Sequence, residues 1–226
     1  IASYQWEVSE RPEGSTALYQ PNANVSNPTF FLDLAGQYVF TLRVFDQSGV
    51  ESCDSSEILA IVTPNEDIHV QLVWETIADP DETDGSGADV DLHLLNTRYP
   101  GAVWDSAPGD CFWRARSPDW GVLGDTEDDP SLDIDDTDGA GPENINLNNP
   151  EGSTADPFVY DVGVYYFSDH GFGPTDATIR IYLDGLEQFS LTFPGLEDRQ
   201  FWDVATIEWP TRLIERIHRL YPSGFP

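Results

Sequence analysis

The sequence predicts an all-β protein: two β-sandwiches in series, the second larger and carrying long acidic loops, with one short helix at the C-terminal end. Three observations carry this. Apolar and polar residues alternate in short runs through most of the chain, the pattern of half-buried strands. Turns rich in Gly, Pro, Asn and Asp separate those runs at strand-like intervals. Only one stretch, residues 211–221, has its apolar residues at helical spacing. With 226 residues there is room for two ordinary domains, and 7 Trp, 9 Tyr and 12 Phe are enough to fill real cores.

The first sandwich is read over residues 1–64. Tyr4, Trp6 and Val8 alternate, then Phe30, Leu32 and Leu34. Ala35-Gly36-Gln37 turns the chain into Tyr38, Phe40, Leu42 and Val44, and Asp46-Gln47-Ser48-Gly49 turns it again before residues 58–62. Asn27-Pro28-Thr29-Phe30, residues 35–44 with Asp46 and Gly49, and the Tyr4-Gln5-Trp6 strand resemble a PKD domain, the polycystic-kidney-disease type. The resemblance covers nearly all of residues 1–64. It implies an immunoglobulin-like sandwich of an extracellular protein, serving as a spacer or binding module. Arg11-Pro12-Glu13-Gly14 stands where that family keeps a glycine-rich loop. Residues 63–67 read as a short linker, with Pro64 ending the last strand.

The second sandwich is read over residues 68–209. Val70, Leu72 and Trp74 alternate, as do Val90, Leu92 and Leu94 after an acidic turn. Residues 96–130 are long and irregular. Tyr160, Val162, Val164 and Tyr166 form a strong strand, and Ile179, Ile181 and Leu183 the next. Asp184-Gly185 is a hairpin signal, Phe189, Leu191 and Phe193 return, and residues 202–209 make the last strand. Three segments of this domain resemble an uncharacterised family of secreted bacterial β-sandwiches that follow other extracellular modules. They are Asp89-Val90-Asp91-Leu92-His93, residues 132–143 and residues 160–166. That likeness implies a fold and an exterior location, and no activity.

Residues 132–145 hold the main chemical signal. Asp133, Asp135, Asp136 and Asp138 crowd together, followed by Gly139, Gly141, Pro142, Glu143 and Asn144. Two unit charges about 4 Å apart repel by roughly 4 kcal/mol at an effective dielectric near 20, so such a loop, once folded against a sandwich, needs a cation. Oxygen ligands without thiolate point to Ca²⁺. An EF-hand is excluded: with Gly139 as the loop glycine, Ile134 and Ile145 would fall where carboxylates are required.

Asp89 and Asp91, on the strand face opposite Val90, Leu92 and Leu94, are read as completing the cage, giving Asp89, Asp91, Asp133, Asp135, Asp136, Asp138 and Glu143 as candidate ligands. A second acidic loop, with Asp79, Asp81 and Asp84, echoes the first: Glu82-Thr83-Asp84-Gly85-Ser86-Gly87 matches Asp136-Thr137-Asp138-Gly139-Ala140-Gly141. The competing reading is a solvated turn beside a polar strand face. His93 is read as a spectator, because Ca²⁺ prefers oxygen.

Formal net charge is −31, with 41 acidic and 10 basic residues, all ten of them Arg. That excludes nucleic acid as a partner of the bulk surface. It suits a cation-rich exterior, and a halophile's surface would give the same balance. No apolar run approaches the length of a membrane span. Beginning at Ile1, the sequence reads as a processed chain or fragment whose signal peptide has gone. Cys53 and Cys111 are expected to form one disulfide stapling the two domains, the alternative being two buried thiols.

Trp104, Trp113 and Trp120 in the irregular stretch either plug the sandwich end or bind glycan or protein. The C-terminal stripe Leu213, Ile214, Ile217, Leu220 and Tyr221, capped by Thr211, is expected as a helix. It would dock on its own sandwich or, through Arg212, Leu213, Arg216, Ile217 and Leu220, on another copy or a cell-surface protein.

No Gly-x-Ser-x-Gly or His-Glu-x-x-His occurs, and the acids are clustered instead of facing each other across a cleft. A non-catalytic, calcium-stiffened extracellular module is the expectation, structural or adhesive, belonging to a bacterial surface protein or filament. A glycan-binding module is the second reading. A metal-dependent hydrolase using Asp89, Asp91, His93 and His170 is the third.

Overall fold

The computed structural model describes all of residues 1–226 and contains strands and turns only. The chain divides into two compact units, Ile1–Thr63 and Pro64–Pro226, so the boundary falls at the Pro64 that ends the first run of strands.

In the first unit, β1 (Ser3–Glu10), β4 (Gly36–Phe45) and β5 (Ser56–Val62) form an antiparallel sheet in the order β1-β4-β5. The two-residue strands β2 (Tyr19–Gln20) and β3 (Thr29–Phe30) pair beside it. The run expected through Leu32 and Leu34 therefore stops at Phe30. The core is small. Leu34, Ala35 and Tyr38 are the buried apolar residues, and Tyr19, Phe30, Tyr38 and Phe40 pack edge-on or stacked around them. The Tyr38 hydroxyl donates to Asp33 and accepts from the Leu34 amide, fixing the turn before β4.

The second unit is a sandwich of two five-stranded antiparallel sheets. One runs β13 (Leu186–Leu196), β12 (Thr175–Leu183), β6 (Ile68–Glu75), β10 (Glu143–Leu147), β9 (Pro130–Leu132). The other runs β15 (Leu213–Tyr221), β14 (Phe201–Trp209), β11 (Phe158–Ser168), β7 (Asp89–Asn96), β8 (Asp110–Cys111). The expected alternation holds in the central strands. Val70, Leu72 and Trp74 of β6, Val90, Leu92 and Leu94 of β7, and Tyr160, Val162, Val164 and Tyr166 of β11 all enter one core cluster. At β14 the register to β11 skips Val204, a bulge that lets both Val204 and Ala205 turn inward.

Two expectations are corrected here. Residues 213–221 are not a helix but β15, antiparallel to β14. Its register jumps at Ile217 and His218, and His218 has φ 51°. An extra residue in a strand breaks its period of two, so Ile214, Ile217 and Leu220 acquire a spacing that imitates a helix stripe. Ile214 and Leu220 pack against the core, and the tail is thus an integral strand of the second unit.

The cysteines are not bonded. Cys53 is exposed, whereas Cys111 lies within the second core, its thiol against the Arg116 carbonyl at 3.5 Å. Burial raises the Cys111 thiol far above its ordinary range, so it stays protonated and inert.

Candidate metal centre

The site forms where β7 has an open edge. β8 pairs with β7 only at Leu94 and Leu95, which leaves the rest of that edge without a strand partner. The chain closes it with a side chain. Glu143, the first residue of β10 in the opposite sheet, is wholly buried, and its Oε2 accepts the Leu92 amide at 2.7 Å. Its Oε1 accepts the Asp136 amide at 3.2 Å, tying the acidic loop to the same point.

Asp91 and Asp135 meet Glu143 there, with one oxygen from each lying within 4.8 Å of the others. Asp91 is 3% exposed, and its Oδ2 is buried with no hydrogen-bond partner. An orphaned carboxylate oxygen this deep is costly unless it meets a proton or a cation. Burial is the main cause pushing Asp91 up to about 7, with Asp89 and Asp135 adding repulsion that His93 partly offsets. Asp89 is pushed up to about 6, again mainly by burial, and Glu143 stands well above the usual carboxylate range for the same reason. The ligand set is all oxygen, and nitrogen stays out of it, so the residues present fit a hard divalent cation.

The other expected ligands are not part of the triad. Asp89 stands on the wall of the same cleft. Asp136 Oδ2 accepts the Gly141 amide at 2.8 Å and braces the loop. Asp133 is exposed and accepts the Asn146 side-chain amide. Asp138 faces the second loop, where a Cβ on Gly85 would come within 3.8 Å of its Oδ2 and one on Gly87 would collide with its backbone carbonyl. Bare Gly87 thus lets the two acidic loops touch, and Ala88 and Gly139 bridge them. Asp79, Asp81 and Asp84 do not join the triad. Asp81 Oδ1 accepts the Thr83 amide and hydroxyl, and Asp84 Oδ1 accepts those of Ser86, so each closes its own turn.

His93 stands outside the triad but is not idle. It is fully buried, its Nδ1 lies 2.7 Å from Asp110 Oδ2, and Phe112, Trp104, Phe201 and Phe225 surround it. Burial opposes charge on the ring, yet Asp110 outweighs it and the ring titrates above its ordinary value. Asp110 was not legible as its partner, since it sits in the irregular stretch. The remaining histidines are also engaged: His69 with Asn146, His170 with the Gly87 carbonyl, His218 with the Trp202 indole.

The three tryptophans separate by role. Trp120 is 2% exposed, stacks on Tyr160 and donates its indole N–H to the Pro108 carbonyl, plugging the sandwich. Trp104 packs on Phe201. Trp113 alone reaches the cleft beside the triad, a hollow of about 200 Å³ lined by Asp89, Asp91, Trp113, Asp135, Thr137 and Phe167. Phe167 and Thr137 had no distinguishing signal in the sequence.

No family model matches this chain, and no curated protein or solved structure matches it either. The functional reading therefore rests on the geometry above.

Proposed function

We propose that the chain is a non-catalytic extracellular module, structural or adhesive, whose larger sandwich is stabilised by Ca²⁺ held at Asp91, Asp135 and Glu143. The observation that carries this reading is the buried Asp91, whose Oδ2 has no partner and whose carboxylate clusters with two further carboxylates. When bound, the ion supplies charge neutralisation and a fixed geometry. The chain's own part is to hold three oxygens together from β7, the acidic loop and β10. Such a cross-link joins the two sheets at the edge that main-chain pairing leaves open.

The first unit serves in this reading as a PKD-type, immunoglobulin-like spacer. Its alternating strands and aromatic cluster are compatible with that role. Several features favour a non-catalytic role: no histidine lines the cleft, all four have a ring nitrogen already engaged, and the one buried thiol is held protonated. A net charge of −31 favours a surface bathed in cations, as on the exterior of a bacterial cell or filament. The direct test is calorimetric titration of the chelator-treated chain with Ca²⁺. Stoichiometric binding is expected in the wild type and none in Asp91→Asn. Absence of wild-type binding would remove the metal from the reading.

A further inference from the structure

We infer that the cleft beside the triad is a carbohydrate site, in which vicinal hydroxyls of a pyranose complete the coordination of the bound Ca²⁺ while the ring's C–H face lies on Trp113. This rests on the calcium reading and names the ligand of the same site.

The first argument is coordination number. Ca²⁺ takes six to eight oxygens. The triad offers three carboxylates, and both oxygens of Glu143 already accept main-chain N–H groups, so its capacity is reduced. Asp89 adds one carboxylate on the wall. Several positions are left for oxygens that come from the cleft side. The buried Asp91 Oδ2 is what makes this a ligand site and not a chance crowd of acids, because it lies within the fold with nothing else to bind.

The second argument is the chemistry of the walls. Trp113 and Phe167 flank the floor with ring centroids 6.4 Å apart, inclined at 57°. The Arg114 guanidinium lies 4.9 Å from the Trp113 ring centre and that of Arg199 4.7 Å from the Phe167 ring centre, and neither arginine lines the cleft. The rings are thus held in place without being filled in. Among the lining side chains, the carboxylates accept hydrogen bonds and only the Thr137 hydroxyl and the Trp113 indole N–H can donate. A ligand that fits must bring its own donors, offer adjacent oxygens to an ion, and present an apolar face.

The third argument is charge. A chain with formal net charge −31, and a fourth carboxylate beside the triad, disfavours a carboxylate or phosphate ligand. An organic ammonium would compete with the ion for the same oxygens. A neutral polyhydroxylated ring satisfies all three demands: two hydroxyl oxygens reach the ion, their O–H groups donate to Asp89 and Asp135, and the C–H face packs on indole.

The test uses the full 226-residue chain. Ca²⁺ binding is first measured by calorimetry. The labelled protein is then applied to a glycan array, and titrated with the methyl pyranosides of mannose, galactose, glucose and fucose, in Ca²⁺ and in EDTA. Binding to at least one pyranose is expected in Ca²⁺ and none in EDTA. Trp113→Ala should keep its Ca²⁺ isotherm and lose affinity for the sugar about tenfold or more. Ca²⁺ binding with silence across the array and the four glycosides overturns the carbohydrate site and leaves the calcium reading standing. Sugar binding that survives EDTA overturns the coordinated mode. Loss of the Ca²⁺ isotherm itself sinks the calcium reading first, and the inference with it.

Discussion

The two acidic loops of the larger unit are near copies in sequence and differ in what their carboxylates do. In the loop of residues 79–87, Thr83 caps Asp81 and Ser86 caps Asp84 through amide and hydroxyl together. In the loop of residues 133–143, the residue matching Ser86 is Ala140, which is buried and has no hydroxyl to give. Thr137, matching Thr83, lines the cleft, and Asp135, matching Asp81, faces Asp91 and Glu143. The same run of residues thus gives turns closed on themselves at Asp81 and Asp84, beside an Asp79 whose Oδ2 is buried without a partner, and an unfinished ring of acceptors in the other loop. Acid density alone does not make a site. What matters is whether the carboxylates find donors nearby, and whether a strand edge lies open beside them.

The largest effect that sharpens this contrast is calcium itself. At about a hundred times its dissociation constant a ligand adds roughly 2.7 kcal/mol, which for a domain of this size is roughly 5–11 °C in melting temperature. That rise is expected on adding Ca²⁺ to the chelated protein, and is expected to vanish in the double variant Asp91→Asn, Asp135→Asn. A rise that persists in the variant would place the ion elsewhere.

Next comes Glu143→Ala, which strips an acceptor from two main-chain amides at once. A loss of about 2 kcal/mol in chelator is expected, together with the calcium response. Denaturant melts measure both, and an unchanged midpoint would mean that Glu143 does not hold the edge of β7.

A smaller effect is in pH. Asp89, Asp91 and Glu143 titrate higher in the fold than in the unfolded chain. Their contribution to the metal-free fold is complete below the unfolded carboxylate range, about pH 4, and is lost as pH rises through about 6 for Asp89 and about 7 for Asp91. In EDTA the melting temperature should therefore fall between about pH 5 and pH 8. Ca²⁺ should flatten the fall, because it replaces the protons. A fall of the same size in Asp91→Asn would assign it to other groups.

The smallest effect is expected from Asp81→Ala in the loop of residues 79–87. Its carboxylate is exposed and caps only its own turn, so the calcium-induced rise should be unchanged. Loss of that rise would erase the distinction between the loops.

Much of this was legible in the sequence. Period-two alternation placed Val90, Leu92 and Leu94 in the core and Asp89, Asp91 and His93 on the other face, because alternation follows directly from strand geometry. The acidic loop was legible as a place of strong repulsion. Which acids converge was not. That depends on Glu143 reaching from β10 to β7, a contact between residues 51 apart in the chain. Trp113 and Trp120 look alike in sequence, and only packing separates a plug from a wall. The helix assigned to 211–221 failed for a local reason, since one bulge at Ile217 and His218 shifts the apolar spacing.

That bulge also bears on how copies of the molecule behave at high concentration. β15 is the last strand of its sheet, and an outermost strand invites another chain to zip alongside it. Here it is kinked at His218, and exposed Arg216 stands opposite buried Ala205. Arg212 at its start is clamped to Asp184. A stranger's backbone would have to straighten the kink and strip water from a guanidinium to add on, so this rim resists fibrous growth.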